Sequence, residues 1–357
     1  IVEVQGNSIR KLHGNIYINN ATYINPKSTY QFNDFNLNSS FDEKRIRTIK
    51  ISAPDITNGT IVGNFKFAEL NGLIANSLGS LYTNYRPVKV RKGQFLKFNF
   101  EVYSKIVEVF FPEMEISENT VVKGIINSDS NEFKFNFNSP TITAADNSFD
   151  NIRVTIDNKN PLYNAYVELD SIKTKMYKIR DFSLINVTSK DTLFFRTEFK
   201  GGTKGNDYFN LDLYHTIDKN NKNVIGFSKS EIKLKNNLWF LNEQNSSNNR
   251  VVFDKKLTDF KLDDFIFSNK EQEIKLSGEF KGSSYKDVNL EFKDFDINAL
   301  TSAQESFDVN GNLNGKINFN QNNLVYKPTA SLVIDNLKVN KYDLGVLKFD
   351  VKGDENL

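Results

Sequence analysis

Two histidines, His13 and His215, and no cysteine are the whole stock of imidazole and thiol in this chain. A three-histidine zinc site and any thiolate site are therefore excluded. His215 follows an alternating run beside Tyr214 and His13 lies in a turn region, so both read as surface or edge residues. The spacing Ser230-Glu231-Ile232-Lys233 would suit a serine nucleophile with a lysine base only on a helix, where both side chains share a face. Here Ile232 and Leu234 alternate with Lys233, so strand geometry sends Ser230 and Lys233 to opposite faces. Asp263 and Asp264 could be offered as general acid and base, but neighbours on a strand point apart and no surrounding pattern marks a pocket that would shift their pKa values. The loop from Asp218 to Asn223 has the oxygen rhythm of a calcium loop without its glycine or its distal glutamate, and reads as a hairpin tip. No nucleophile elbow, Walker loop, dinucleotide fingerprint or His-Glu-x-x-His is present. No catalytic, cofactor-binding or metal-binding residue is assigned, and the chain is expected not to be an enzyme.

The elements available to position side chains carry a different message. From Phe307 to Phe319 apolar residues or glycines alternate with polar ones without a slip: Phe307, Val309, Leu313, Ile317 and Phe319 fall on one side. The same two-residue beat sets Leu96, Phe98, Phe100 and Val102 against Lys97, Asn99 and Glu101. It recurs at Phe133, Phe135 and Phe137, at Ile152, Val154 and Ile156, and at Phe209, Leu211 and Leu213. Leu290 with Phe292, Leu347 with Phe349 and Val351, and Phe65 with Phe67 complete the set. Successive strand side chains point to opposite faces, so each run is a ribbon with one apolar and one polar side. Strands buried on both faces read instead as continuous Val/Ile/Leu runs. The expected fold is all-β, mostly antiparallel, with these residues lining one apolar surface.

Composition fits that picture. Hydrophobic residues make up 39% and charged residues 25%, as in folded soluble proteins, and 31 Phe against 2 Met and 1 Trp make Phe the main apolar filler. A net charge of +2 gives no field to attract nucleic acid or anionic membrane. No apolar stretch is long enough for a membrane helix and no signal peptide is visible. Starting at Ile1 rather than Met, the sequence reads as a piece of a longer protein whose anchor or terminal modules lie elsewhere. The absence of cysteine is compatible with export.

Asn/Asp/Gly/Ser turns such as Asn58-Gly59, Asp157–Asn160 and Gly201-Gly202 punctuate the runs and imply roughly twenty strands. Stacked in one sheet these would extend on the order of 100 Å. One segment keeps helical spacing instead: Phe67, Leu70, Leu73, Ile74, Leu78, Leu81, Tyr82 and Tyr85 predict an amphipathic helix over 67–85, stopped before Pro87. A shorter helical or turn candidate lies between Asp296 and Ser306. A faint repeat links Gly59-x-x-x-Gly63-Asn64-Phe65-Lys66-Phe67 to Gly311-x-x-x-Gly315-Lys316-Ile317-Asn318-Phe319, with Gly14-Asn15-Ile16-Tyr17-Ile18 matching the second half. The expected organisation is a single elongated array over 1–357, divisible into 1–190, which holds the helix, and 191–357. Trp239, within Leu238-Trp239-Phe240-Leu241, is expected to be a packing anchor.

The ordered series Phe194–Gly202, Tyr208–Tyr214, Gly226–Ile232, Trp239, Arg250–Asp254 and Ile274–Gly278 resembles the TamB family, as found in Bacteroidota, of AsmA-like, bridge-like proteins. Leu290–Phe295, Val309–Ile317, Tyr326-Lys327-Pro328, Leu337–Asn340 and Leu344–Leu347 continue the likeness, which is best from about Thr192 to Leu357. The resemblance implies a curved β-sheet folded into a taco-shaped groove with an apolar interior. It implies a periplasmic location between inner and outer membranes, with anchorage in the inner membrane by a helix outside this sequence. The partners it implies are phospholipid or another lipid in the groove and an Omp85-family, TamA-like outer-membrane barrel. The implied role is lipid transport or assembly of outer-membrane and exported proteins. Two alternatives account for the same alternation: a structural or adhesive β-solenoid or stacked sandwich with a closed core, and an enzyme on a parallel β-helix, for which regular rungs and a recurring charged cluster are wanting.

Overall fold

A computed structural model describes the chain apart from residues 7–11, 27, 82–84, 203–204, 235–236, 300–307, 324 and 354–357. Strands account for 65% and helical residues for 7%, and the strand pairing is antiparallel. The chain forms two compact units, residues 1–191 with 201–205 and residues 192–200 with 206–357.

In the first unit the two-residue beat becomes one shared apolar face. Residues opposite one another in an antiparallel ladder lie on the same side of the sheet. Ile49 faces Ile61, and Ile61 faces Phe98. Leu96 faces Ile126 and Ile126 faces Phe133, while Phe100 faces Val122 and Val122 faces Phe137. Phe135 then faces Ile156, Phe137 faces Val154 and Ser139 faces Ile152. Gly124 sits between Phe98 and Phe135, and a Cβ there would fall 2.6 Å from the Phe98 ring. The glycine leaves the space that the Phe98 ring occupies over the middle strand.

A helix covers this face. A 3-10 turn, Phe67–Glu69, runs into helix α1, Leu70–Gly79, inside the span that the sequence predicts to be helical. Leu73, Leu70, Ile74 and Leu78 pack onto Ile49, Phe65, Leu96, Ile126 and Phe133, with Leu73 only 1% exposed. At Gly79, the last residue of α1, the Tyr85 ring occupies the space a side chain would need. Tyr82 lies outside the described residues. A second helix, α2, Ser104–Phe110, forms where the sequence shows little helical signal; Ser104 Oγ donates to Glu108 Oε1 one turn on, at 2.9 Å. Of the candidate between Asp296 and Ser306, Ile297–Ala299 forms a 3-10 turn and residues 300–306 lie outside the described set.

The second unit builds its own apolar face. Leu276 faces Leu290, Leu290 faces Ile317, Ile317 faces Ala330 and Ala330 faces Val351. A parallel row runs Ile274, Phe292, Gly315, Leu332, Phe349. Phe209 joins the same side through Ile232, which faces Trp239, and Leu241 faces Phe267. Trp239 is buried, with its ring centroid 5.8 Å from that of Phe295. Their strands, Asn237–Leu241 and Tyr285–Asp296, are separated by two others. Three inter-strand steps of about 4.8 Å would hold the backbones about 14 Å apart in a flat sheet. The sheet bends toward its apolar side between these strands.

The later glycine of each repeat copy approaches the neighbouring backbone in the same way. A Cβ at Gly14, Gly63 or Gly315 would fall 2.0, 2.1 or 2.1 Å from a carbonyl oxygen of the neighbouring strand. These are points of close backbone approach that admit only hydrogen.

A second recurring device breaks the beat. Asn151, Asp181, Asp294 and Asn336 have left-handed φ values of 50°, 52°, 48° and 53° inside strands. Each stands third in an apolar-x-Asp/Asn-apolar quartet: Phe149–Ile152, Ile179–Phe182, Phe292–Phe295 and Ile334–Leu337. In the second unit the ladder slips at both quartets, and both apolar ends pack into the Trp239 cluster. Asn and Asp tolerate this conformation better than other residues with a Cβ, and glycine tolerates it best. Asp294→Gly is therefore expected to leave the urea midpoint unchanged or raised, while Asp294→Val lowers stability by about 1–2 kcal/mol; equal midpoints for the two variants would contradict the bend.

Candidate functional site

The groups that could do chemistry are held in structural pairs. Arg250 Nε and Lys261 Nζ lie 3.0 and 2.8 Å from the Asp263 carboxylate, and Lys275 lies 3.1 Å from Asp264. Burial pushes the Asp263 carboxyl up, but the hydrogen bonds from Lys261 and Arg250 outweigh it and hold the group below its ordinary value. Such a carboxylate is a counter-ion and not a proton donor near neutrality. Ser230 Oγ donates to the Ser228 carbonyl at 3.0 Å, while Lys233 is exposed. His215 Nε2 lies 3.1 Å from Asn223 Oδ1, and His13 makes an edge contact with the Phe41 ring at 6.3 Å. Asp218 Oδ1 accepts the N–H groups of Asn220 and Lys222, both at 2.9 Å, closing the hairpin tip on itself. Among the described residues no group of three or more His, Asp or Glu is placed to hold a metal, and no helix is long and apolar enough to cross a membrane.

The residues expected to line an apolar surface divide by unit. In the first, Phe65, Leu96 and Phe133 are buried beneath α1, with Phe98, Phe135 and Ile156 packed against the same cluster. Ile152 is buried as well, and Phe100, Val102, Phe137 and Val154 are half-buried. Phe67 lies off the strands, in the 3-10 turn, and is exposed. In the second unit Phe209, Leu211, Leu213, Leu290, Phe292, Val309, Ile317 and Val351 are half-buried and Leu313 is buried. Phe319, Leu347 and Phe349 stay 38%, 46% and 53% exposed. Phe307 lies outside the described residues.

Helix α1 is fixed by polar ties as well as apolar ones. Asn158, itself buried, accepts the Phe133 N–H at 2.9 Å and donates to the carbonyls of Ser77 and Asn131 at 2.7 and 2.6 Å. At the other end Glu69 takes hydrogen bonds from Lys66, from the Arg91 N–H and from Gln94 Nε2. Lys66 first, then Arg91, lower its carboxyl to a pKa of about 2.

Sequence reasoning overlooked the left-handed Asp and Asn residues, whose signal is an apolar spacing of three in place of two. It also overlooked Lys286 and Gln321, which occupy apolar-face positions of the beat. What geometry defines is an antiparallel all-β protein with an apolar face, covered by a helix in one unit and part-exposed in the other. No protein-family model, curated protein or solved structure matches the chain.

Proposed function

We propose that this chain is a non-enzymatic, lipid-handling segment of the TamB type, in which the apolar face of the second unit forms a groove for acyl chains. It would act in the periplasm between inner and outer membranes. There it would carry lipid, or help assemble outer-membrane and exported proteins, with an Omp85-family barrel as partner. The observation that carries this reading is the pair of unbroken rows, Leu276–Leu290–Ile317–Ala330–Val351 and Ile274–Phe292–Gly315–Leu332–Phe349, in which no residue is fully buried and Phe349 keeps about half its surface open. A closed sandwich core would bury them almost completely. Exposed apolar surface of this continuity marks a binding surface in soluble proteins. Each methylene it covers contributes about 0.8 kcal/mol without demanding a particular geometry, which suits acyl chains of mixed length.

Photo-crosslinking in cells tests the proposal. Probes at Phe292, Phe319 and Phe349 are expected to capture lipid, and probes at Lys293, Lys316 and Lys348, on the opposite face or at the bend, are expected not to. Equal capture from both sets, or none from the first, would rule the groove out. A probe at Phe133 is expected to stay silent, because α1 already covers it.

A further inference from the structure

We propose that the apolar face of the second unit ends in a headgroup site for an anionic phosphoglycerol lipid, built by Lys286 and Gln321. This deepens the lipid-handling reading and rests on it. Lys286, Val288, Leu290 and Phe292 share one side of strand Tyr285–Asp296, because the ladder to Gln272–Lys281 keeps a single register over this stretch. Lys286 is thus a cation on the apolar side. Its partners across the two ladders are Phe280 and Gln321, and Gln321 in turn faces Tyr326. The next row inward is Gly278, Val288 and Phe319.

Both polar groups have unused capacity. Lys281 and Lys316 are held by Glu279 and Glu291 at 3.1 and 2.9 Å, whereas Lys286 enters no ion pair among the described residues. Its neighbour Asp287 points to the other face, where it accepts from Asn318 Nδ2 at 2.6 Å. Gln321 is 4% exposed; its Nε2 donates to the Asn323 carbonyl at 2.8 Å, and its Oε1 has no partner. A buried acceptor left unpaired is costly, and a ligand that donates to it recovers that cost. Directly opposed residues in a ladder have Cβ atoms about 5 Å apart. One headgroup can therefore engage both: a phosphate oxygen pairs with the Lys286 ammonium, and a glycerol hydroxyl pairs with Gln321 Oε1 once that side chain turns out from its buried position, with the Tyr326 phenol alongside. From Lys286 to Phe292 the face then offers about 20 Å of apolar strand for the tails. An uncompensated cation favours a headgroup with net negative charge over a zwitterion.

Retention of lipid by the purified 357-residue chain decides the matter. The protein is incubated with vesicles containing equal parts phosphatidylglycerol, phosphatidylethanolamine and phosphatidylcholine, re-isolated, and its bound lipid quantified by mass spectrometry. Phosphatidylglycerol is expected to dominate by about five- to tenfold. Lys286→Glu should remove that excess, while Lys348→Glu, the same charge change on the opposite face, leaves it. Gln321→Leu, which removes the acceptor at similar volume, should narrow the preference for the glycerol headgroup. Should Lys286→Glu melt below the parent, Lys286→Gln takes its place. Lipid bound without headgroup preference, a preference for ethanolamine, or equal losses in the two lysine variants would overturn the headgroup site and leave the groove standing. No bound lipid at all would overturn both.

Discussion

Phe295→Ala is expected to destabilise the second unit by about 3–5 kcal/mol, the cost of emptying a phenyl-sized space in a packed core. Phe319→Ala is expected to change stability by under about 1 kcal/mol. The two residues lie on the same face and look alike in sequence, each a Phe beside Asp or Asn. Phe295 is 2% exposed and meets the rings of Trp239 and Phe292 at 5.8 and 5.7 Å. It fills the inside of the bend, where the sheet brings strands Asn237–Leu241 and Tyr285–Asp296 together. Among the described residues Phe319 has one ring neighbour, Tyr326 at 6.0 Å, and it is 38% exposed. Urea melts of the two variants measure the difference directly. Charge sharpens the contrast: Phe319→Arg should fold normally and lose bound lipid, because its guanidinium can stay in water. Phe295→Arg would bury an unpaired charge and should not fold. A large stability loss at Phe319 would mean that its face is a closed core and would remove the basis for a groove.

The apolar face was legible because strand periodicity is a property of the backbone alone: wherever the beat held, at Leu96–Val102 or Phe133–Phe137, cross-strand partners fell on one side. What stayed hidden depends on contacts distant in sequence. Nothing local to Phe65, Leu96 and Phe133 says that a helix will lie across them, since a residue beneath α1 and a residue open to a ligand obey the same alternation. The bends were hidden for a different reason. Asp294 and Asn336 look like polar outward positions until the apolar residues on either side, Phe292 with Phe295 and Ile334 with Leu337, are seen to need three steps and not two. α2 is too short for its amphipathic period to rise above the strand pattern around it.

Asn158→Ala is expected to loosen α1 without disturbing the second unit. The Asn158 side chain joins the sheet to the C-terminal half of α1: it accepts from the Phe133 N–H and donates to Asn131 O on the hairpin below, and it donates to Ser77 O in the helix. Alanine leaves the Phe133 N–H without its partner beneath the helix, a loss of about 2–4 kcal/mol once the two carbonyl contacts are included. The apolar contacts of Leu70, Leu73, Ile74 and Leu78 remain, so the first unit should stay folded while α1 opens more often. Local opening is read by amide hydrogen exchange, which speeds by about tenfold for each 1.4 kcal/mol. Only the bond to Ser77 O is made to the helix itself, so exchange across Leu70–Gly79 should rise by up to about tenfold, with amides of Tyr285–Asp296 unchanged. Uniform acceleration over the first unit would mean that Asn158 supports the sheet itself. No acceleration would mean that apolar packing alone holds the helix. The expected pattern identifies α1 as a separately anchored cover, held in part by one asparagine over the same kind of surface that the second unit leaves part-open.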